Sequence, residues 1–348
     1  MLIADRYAIL DFAHAAPFRT VFRAWKRHLD SQYRWPDTPL VVVCGATATG
    51  KTAVAIALAE HVGGEIVNAD SMQVYCGMDI GTAKPTRRER QSTAFHLVDI
   101  TMPDQQLSVS DWKGRAEAAI GAITAGGRRP IMCGGTGLYL RALLDNWTLA
   151  ATPASPQVRT ELTGWVAREG APWLHSKLRE VDPITANRLH PNDAIRIVRA
   201  LEVYLTTGLP ISRFQEQDRA SQKQRPAQRF GLTLPRPILN ARISDRVDAM
   251  LDAGLVAEVQ TLLQQGYTSE LGPMKSLGYK ETVEYLQGKL SYASAVEEIK
   301  ANTRRFAKRQ QTWFRADPLI HWLDVSELSS AEVAAHIHQE LHQAGPPV

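Results

Sequence analysis

One short stretch limits this chain more than any other. "GATATGKT", from Gly45 to Thr52, follows the apolar run "PLVVVC" and leads into the helix-forming "TAVAIALAEHV". The spacing is G-x-x-x-x-G-K-[ST] between a strand and a helix, the pattern of a loop that cradles phosphates. Its glycines let backbone N–H groups turn inward at a helix N-terminus, which requires a strand to deliver the chain there. The expected phosphate-binding set is Gly45, Ala46, Thr47, Ala48, Thr49, Gly50, Lys51 and Thr52, with Lys51 as a point charge and the Thr52 hydroxyl as a Mg²⁺ ligand. The loop alone names no reaction, because the same nest holds a nucleotide or any other diphosphate.

A strand that feeds such a loop belongs in a parallel sheet. Short β-rich runs recur between helical stretches: "LVVVC", "GEIVNA", "FHLVDI", "RRPIMCGG", "RFGLTL" and "PLIHWLD". Their alternation with helices predicts an α/β fold, a P-loop NTPase-like parallel sheet flanked by helices. The region from about Trp147 to Leu189 differs: it opens on the Pro/Ala/Ser-rich "LAATPASPQ" and then reads as amphipathic helices without strands. It is expected to be a helical insertion, with the chain returning to the core around "HPNDAIRIVRALEVY". The expected organisation is an N-terminal extension over 1–37, a first core segment over 38–146, the insertion over 147–189, a second core segment over 190–325 and a C-terminal helix and tail over 326–348. Within the extension, Phe18, Val21, Phe22 and Trp25 have the spacing of one amphipathic helix.

Composition narrows the setting. The three cysteines, Cys44, Cys76 and Cys133, are too few and too scattered for a disulfide framework or a zinc site, which suits a reducing cytoplasm. No apolar run approaches the ~20 residues of a membrane helix, so no membrane partner is expected. The net charge of +4 and pI near 8.9 suit an anionic partner.

Beyond the second strand comes "NADSMQVYCGMDIGTAKPT". Asp70 falls at the carboxyl end of a parallel strand, where open α/β sheets place their ligands, so it is either a general base facing the cradle or a cap for the turn through Ser71 and Met72. Asp99, closing "HLVDI", has the form of a magnesium carboxylate after an apolar strand, a weak pattern, and His96 in that strand reads as a core histidine. In "CGGTGLYLRALL", Thr136 stands at a helix start, where its hydroxyl caps the helix or points at a substrate. Arg242 and Arg246 lie four apart, placed to grip a diphosphate or to bridge Asp245 and Asp248. "ANTRRFAKRQQTWFR" carries five basic residues and no acid. It is either a phosphate-backbone footprint with aromatic interleaving or a solvated helix face whose aromatics pack inward.

Taken together and in this order, "GATATGKT", "DSMQVYCGMDIGTAKP", "GGTGLYLRALL", "HPND" with "RALEVY", "SLGYKE" and "AKRQQTWFR" resemble the bacterial tRNA dimethylallyltransferase family. The resemblance spans about Leu40 to Asp324. It implies transfer of a dimethylallyl group from dimethylallyl diphosphate to the exocyclic amine of the adenosine 3′ of the anticodon, with Mg²⁺ and with tRNA as partner, by a cytoplasmic enzyme expected to be a monomer. Carried over residue by residue, it implies catalytic roles for Asp70, Thr136 and Arg246. The implied tRNA contacts are Asp70, Ser71, Met72, Gln73, Thr136, Arg159, Ile195, Arg196, Ile197, Val198, Arg199, Lys275, Ser276, Leu277, Gly278, Tyr279 and Lys280. His96 and Arg242 fall on less certain positions. The chain departs from the family at Ala46, where Pro is usual, and at Thr49, where Ser or Ala is usual, which predicts a slightly less rigid loop. Two other classes compete: a small-molecule kinase whose loop holds ATP, and a non-catalytic RNA-binding module.

Overall fold

The computed structural model describes residues 35–36, 39–147, 155–221 and 224–343. The expected N-terminal helix, most of the Pro/Ala/Ser linker and the last five residues lie outside the described residues.

All six apolar runs form strands: β1 (Leu40–Gly45), β2 (Gly64–Asn68), β3 (Phe95–His96), β4 (Arg129–Gly134), β5 (Ala227–Thr233) and β6 (Ile320–Asp324). They pair in parallel in the order β3-β2-β4-β1-β5-β6, so the fold is a parallel α/β sheet covered by helices. Every residue of β1 is buried, as expected for a strand with helices on both faces. The helices, in chain order, are α1 (Lys51–Val62), α2 (Arg87–Ser92), α3 (Val109–Ala125), α4 (Gly137–Leu144), α5 (Pro156–Glu169), α6 (Ala171–Val181), α7 (Pro183–Ala186), α8 (Ala194–Thr207), α9 (Ile211–Ser221), α10 (Arg236–Asp252), α11 (Leu255–Gln264), α12 (Tyr279–Leu286), α13 (Tyr292–Arg315) and α14 (Ser330–Gln343).

Alternation along β1 sorts its side chains between the two faces of the sheet. Val41 and Val43 join Val54 and Leu58 of α1 and Val333 and Ile337 of α14. Leu40, Val42 and Cys44 join Trp112 and Ile120 of α3, Tyr139 and Leu143 of α4 and Phe314 of α13. A further cluster gathers Val247, Leu255, Val259, Tyr279 and Ile299 around Met78, which binds the long loop after β2 to the C-terminal helices.

The chain divides into two compact units, and the described part of the first covers 145–147, 155–221 and residue 224. This helical unit runs further than the expected limit at Leu189. On α8, Ile197, Val198, Ala200 and Leu201 pack with Leu162 of α5 and with Leu174 and Leu178 of α6, so "AIRIVRALEVY" is part of the insertion and not of the returning core. The apolar stripe of α8 is complementary to helices, and periodicity cannot reveal which neighbours complete it. The second unit, 34–144 with 225–348, holds the whole sheet.

Candidate active site

The turn after β1 has the backbone its sequence requires. Gly50 caps α1 with φ +89°, a left-handed conformation that glycine adopts without strain, and Ala48 also takes a positive φ of +64°. The Ala46 carbonyl accepts from the Thr49 hydroxyl at 2.9 Å and from Lys51 Nζ at 2.6 Å. Thr49 is 1% exposed, so its hydroxyl ties down the segment where Ala46 replaces the usual proline. The expected loss of rigidity is therefore offset by a side-chain hydrogen bond. Burial lowers the Lys51 pKa to about 8, while the charge of Asp70 acts to raise it. Beneath the loop, burial pushes the thiols of Cys44 and Cys133 up to about 12, which leaves them protonated and inert.

The turn after β2 carries Asp70. Its Oδ1 accepts from the Met72 N–H at 2.9 Å, so the capping geometry expected for this residue is present. The carboxylate also faces the cradle electrostatically. Burial lowers the pKa of Arg246, on α10, and the charge of Asp70 opposes that shift as it does for Lys51. The capping reading is therefore met, and the charge of the same carboxylate acts on Lys51 and Arg246.

The turn after β4 lies beside both. A Cβ on Gly134 would fall 2.2 Å from the Ala69 carbonyl oxygen, so only glycine lets the β4 turn press against the β2 turn. Thr136 N donates to that carbonyl at 3.0 Å. The Thr136 hydroxyl accepts from the Ser71 N–H at 2.9 Å and lies 3.2 Å from Ser71 Oγ. Thr136 was expected to cap its own helix or to face a substrate; its hydroxyl is instead bonded to the loop that carries Asp70.

Three sequence expectations need correction. Asp99 is not the strand-end magnesium carboxylate its pattern suggests: β3 stops at His96, Leu97 and Asp99 take φ of +63° and +56°, and the side chain is claimed by two cations. Its carboxylate accepts from Lys84 Nζ at 2.5 Å and Arg90 Nη1 at 2.6 Å. Burial pushes its pKa up, but those two hydrogen bonds hold it below the usual carboxylate range. His96 is no core histidine: it is part-exposed at the sheet edge, with Nε2 2.6 Å from Glu65. Among the expected tRNA contacts, Ile197, Val198 and Tyr279 have buried side chains, and the Tyr279 hydroxyl donates to Glu258 at 2.5 Å.

The remaining expected contacts are distributed over both units. Within the helical unit, Ile195 and Arg196 are exposed, and Arg159 and Arg199 converge on the fully buried Glu202 at 2.9 and 2.7 Å. Burial raises the Glu202 pKa, and the hydrogen bonds from Arg199 and Arg159 lower it more. Within the sheet unit, Ser276 Oγ donates to the Pro273 carbonyl, Leu277 is half-buried, and Gly278 starts α12. Lys275 and Lys280 are exposed, with Lys275 paired to Glu270 at 2.8 Å. Gln73 Nε2 donates to the carbonyls of Thr82 and Ala83, so this side chain shapes its own loop. Arg242 is half-buried one turn from Arg246, while Asp248 pairs with Lys300 at 2.7 Å. On α13, Phe306 and Trp313 are each 38% exposed beside exposed Arg305, Lys308 and Arg309, so both aromatics are only partly covered, Trp313 by its contact with Gly137.

Sequence reasoning gave no role to Glu258, which accepts from the N–H groups of Asp79, Ile80 and Gly81, nor to Lys84, which donates to Tyr75, Asp79 and Asp99. A glutamate on an amphipathic helix reads as solvated surface, so no local signal marks Glu258.

As a constellation, these groups suit displacement at a phosphorylated carbon, with an anion cradle and a carboxylate held at the ends of the two strands that flank β4. Among the described residues, no cluster of three or more His, Cys, Asp or Glu could hold a metal by itself. The Thr52 hydroxyl, in the first turn of α1, is a hard oxygen donor of the kind Mg²⁺ accepts, an ion that takes most of its ligands from substrate phosphates and water. No helix among the described residues is long and apolar enough to cross a membrane.

The IPP transferase family model matches residues 73–317. A tRNA dimethylallyltransferase of Desulforudis audaxviator is 48% identical over 87% of this chain and 98% of its own length. One from Symbiobacterium thermophilum is 50% identical over 83% of this chain and 90% of its own. Among solved structures, the tRNA isopentenylpyrophosphate transferase of Bacillus halodurans superposes with a TM-score of 0.64 at 37% identity, covering 88% of this chain and 97% of that one. A eukaryotic dimethylallyltransferase solved as snapshots of its action on tRNA gives a TM-score of 0.73 at 28% identity, covering 89% and 81%.

Proposed function

This chain belongs to the IPP transferase family and transfers a dimethylallyl group to tRNA, and we propose that the loop geometry described above carries out that transfer as follows. The donor is dimethylallyl diphosphate, and the acceptor is the N6 amine of the adenosine immediately 3′ of the anticodon. The observation that carries this reading is the placement of Asp70 on the turn after β2, where its charge acts on both Lys51 and Arg246.

The amine's lone pair is delocalised into the purine, so it attacks carbon only as its proton is removed. Asp70 accepts that proton while the C–N bond forms and the C–O bond to the diphosphate breaks. Negative charge grows on the departing diphosphate, and the N–H groups of Gly45 to Thr52 other than that of Thr47, together with Lys51 and Arg246, stabilise it in place. Thr52 would hold Mg²⁺ from the protein side, and the ion would supply further charge neutralisation for the diphosphate. Thr136 and Ser71 fix the position of the Asp70 turn. The tRNA is gripped through its phosphates by Arg159, Arg196, Arg199, Lys275 and Lys280, in a cytoplasmic enzyme acting as a monomer. The adenosine leaves its stack to reach the site, at a cost of a few kcal/mol.

The test is incubation with labelled dimethylallyl diphosphate, Mg²⁺ and undermodified tRNA, followed by nucleoside analysis. Label on adenosine N6 is expected; ATP turnover with the prenyl donor left inert would reject the proposal.

A further inference from the structure

Helix α13 has one buried stripe, Thr303, Ala307, Gln310 and Phe314, and Gln310 stands in it 7% exposed. Its carboxamide is used at both ends. Oε1 accepts from the Thr47 N–H at 2.8 Å, and Nε2 donates to the Gly135 carbonyl at 2.9 Å. One side offers a donor and the other an acceptor, so the amide has a single satisfied orientation.

Thr47 lies within the phosphate loop, and Gly135 directly precedes Thr136. Thr136 in turn holds Ser71, next to Asp70. A continuous path therefore runs from the cradle through Gln310 to the turn that carries the base. The neighbouring residues are shaped to admit it. A Cβ on Gly135 would meet Gln310 Nε2 at 2.4 Å, and one on Gly137 would meet the Trp313 ring at 2.1 Å. Both glycines let α13 seat itself on the β4 turn.

We infer that Gln310 is a positioning residue for the transfer reaction: it fixes the distance between the diphosphate cradle and the Asp70–Thr136 turn. The inference rests on the diphosphate reading of the Gly45–Thr52 loop. A neutral amide is the side chain suited to this place. A glutamate would still accept from Thr47 but, when ionised, would oppose the Gly135 carbonyl and add negative charge beside the cradle. When protonated, the same glutamate accepts at one oxygen and donates from the other, restoring both hydrogen bonds.

That chemistry supplies the test. Gln310→Glu and Gln310→Met are assayed for transfer as ratios to the parent enzyme from pH 8 down to 5.5, which cancels every pH effect the enzymes share. Thermal unfolding checks that each variant is folded, and binding of inorganic diphosphate is measured beside Lys51→Ala. Gln310→Glu should lose about 10²-fold in kcat/KM at pH 8, the scale of a small misplacement of reacting groups, and recover most of it by pH 5.5. Gln310→Met fills the space without the hydrogen bonds and should lose about tenfold in kcat at every pH, with tRNA affinity unchanged. A flat pH ratio for Gln310→Glu, or a Gln310→Met variant as active as its parent, would overturn the inference while leaving the diphosphate reading intact. Undiminished diphosphate binding by Lys51→Ala would instead sink that reading and this inference with it.

Discussion

The loop from Gly45 to Thr52 and the loop from Asp70 to Lys84 leave adjacent parts of one sheet, yet they are held by opposite means. The first is shaped mainly by its own backbone: a positive φ at Ala48 and Gly50, and a carbonyl at Ala46 that collects Thr49 and Lys51. The second is shaped by charges brought from elsewhere. Glu258 on α11 takes three of its N–H groups, and Lys84 bridges Tyr75, Asp79 and Asp99. An anion cradle must leave its donors turned inward, so it is built from local conformation. A loop that presents a carboxylate has no such constraint and is held by whichever side chains the packed helices bring near.

The sharpest challenge to this contrast is the residue on which the second loop depends. Asp70→Ala should lower kcat by about 10² to 10⁴-fold while tRNA binding persists. Full activity in a filter-binding-competent variant would remove Asp70 from the chemistry. Next in size is the remote support. Glu258→Ala leaves three N–H groups and the Tyr279 hydroxyl without their acceptor, and should cost about 2–3 kcal/mol in denaturant unfolding. An unchanged unfolding midpoint would mean that the second loop holds itself, as the first does.

The cradle is probed by pH. Lys51 has its pKa lowered to about 8, so the free protein loses that charge as pH rises past this value. Affinity for inorganic diphosphate should then fall by up to about tenfold per pH unit relative to Lys51→Arg, which stays charged. The sign for stability is opposite. The unfolded chain holds the Lys51 proton to its ordinary pKa of 10.5, so the burial penalty is fully present below about pH 8 and is relieved as pH rises between the two values. Parallel titration curves for parent and Lys51→Arg would show that the lysine does not meet the anion. The smallest effect is expected outside both loops. Lys275→Ala should reduce the salt dependence of tRNA binding by about one phosphate contact, read as the slope of log affinity against log salt concentration.

The same contrast explains what could be read from the sequence. The central strands were legible because buried parallel strands are nearly continuous apolar runs, the part-exposed edge strands β3 and β6 because shorter apolar stretches still mark them, and the phosphate loop because its geometry is encoded by neighbouring residues. Asp70 and Thr136 were legible as strand-end residues, though not their link through Ser71. Asp99 misled because an apolar run ending in Asp carries no trace of Lys84 and Arg90, which claim its carboxylate. Glu258 and Gln310 act over 177 and 263 residues of sequence, respectively, and nothing local distinguishes them from solvated helix positions. The extent of the helical unit failed for a similar reason: the stripe on α8 shows that it packs, but not against what.

The strand order also acts as a ruler. β2, β4 and β1 are consecutive in the sheet, and parallel neighbours lie about 4.8 Å apart, so the turns bearing Asp70 and Lys51 are about 10 Å apart with the Thr136 turn midway. Backbone hydrogen bonds set the coarse gauge, and Gln310 fixes the turns within it. No single substitution in the residues of these turns can widen the gap by a strand's width. A relative with a different reach between leaving group and proton acceptor would need a different sheet.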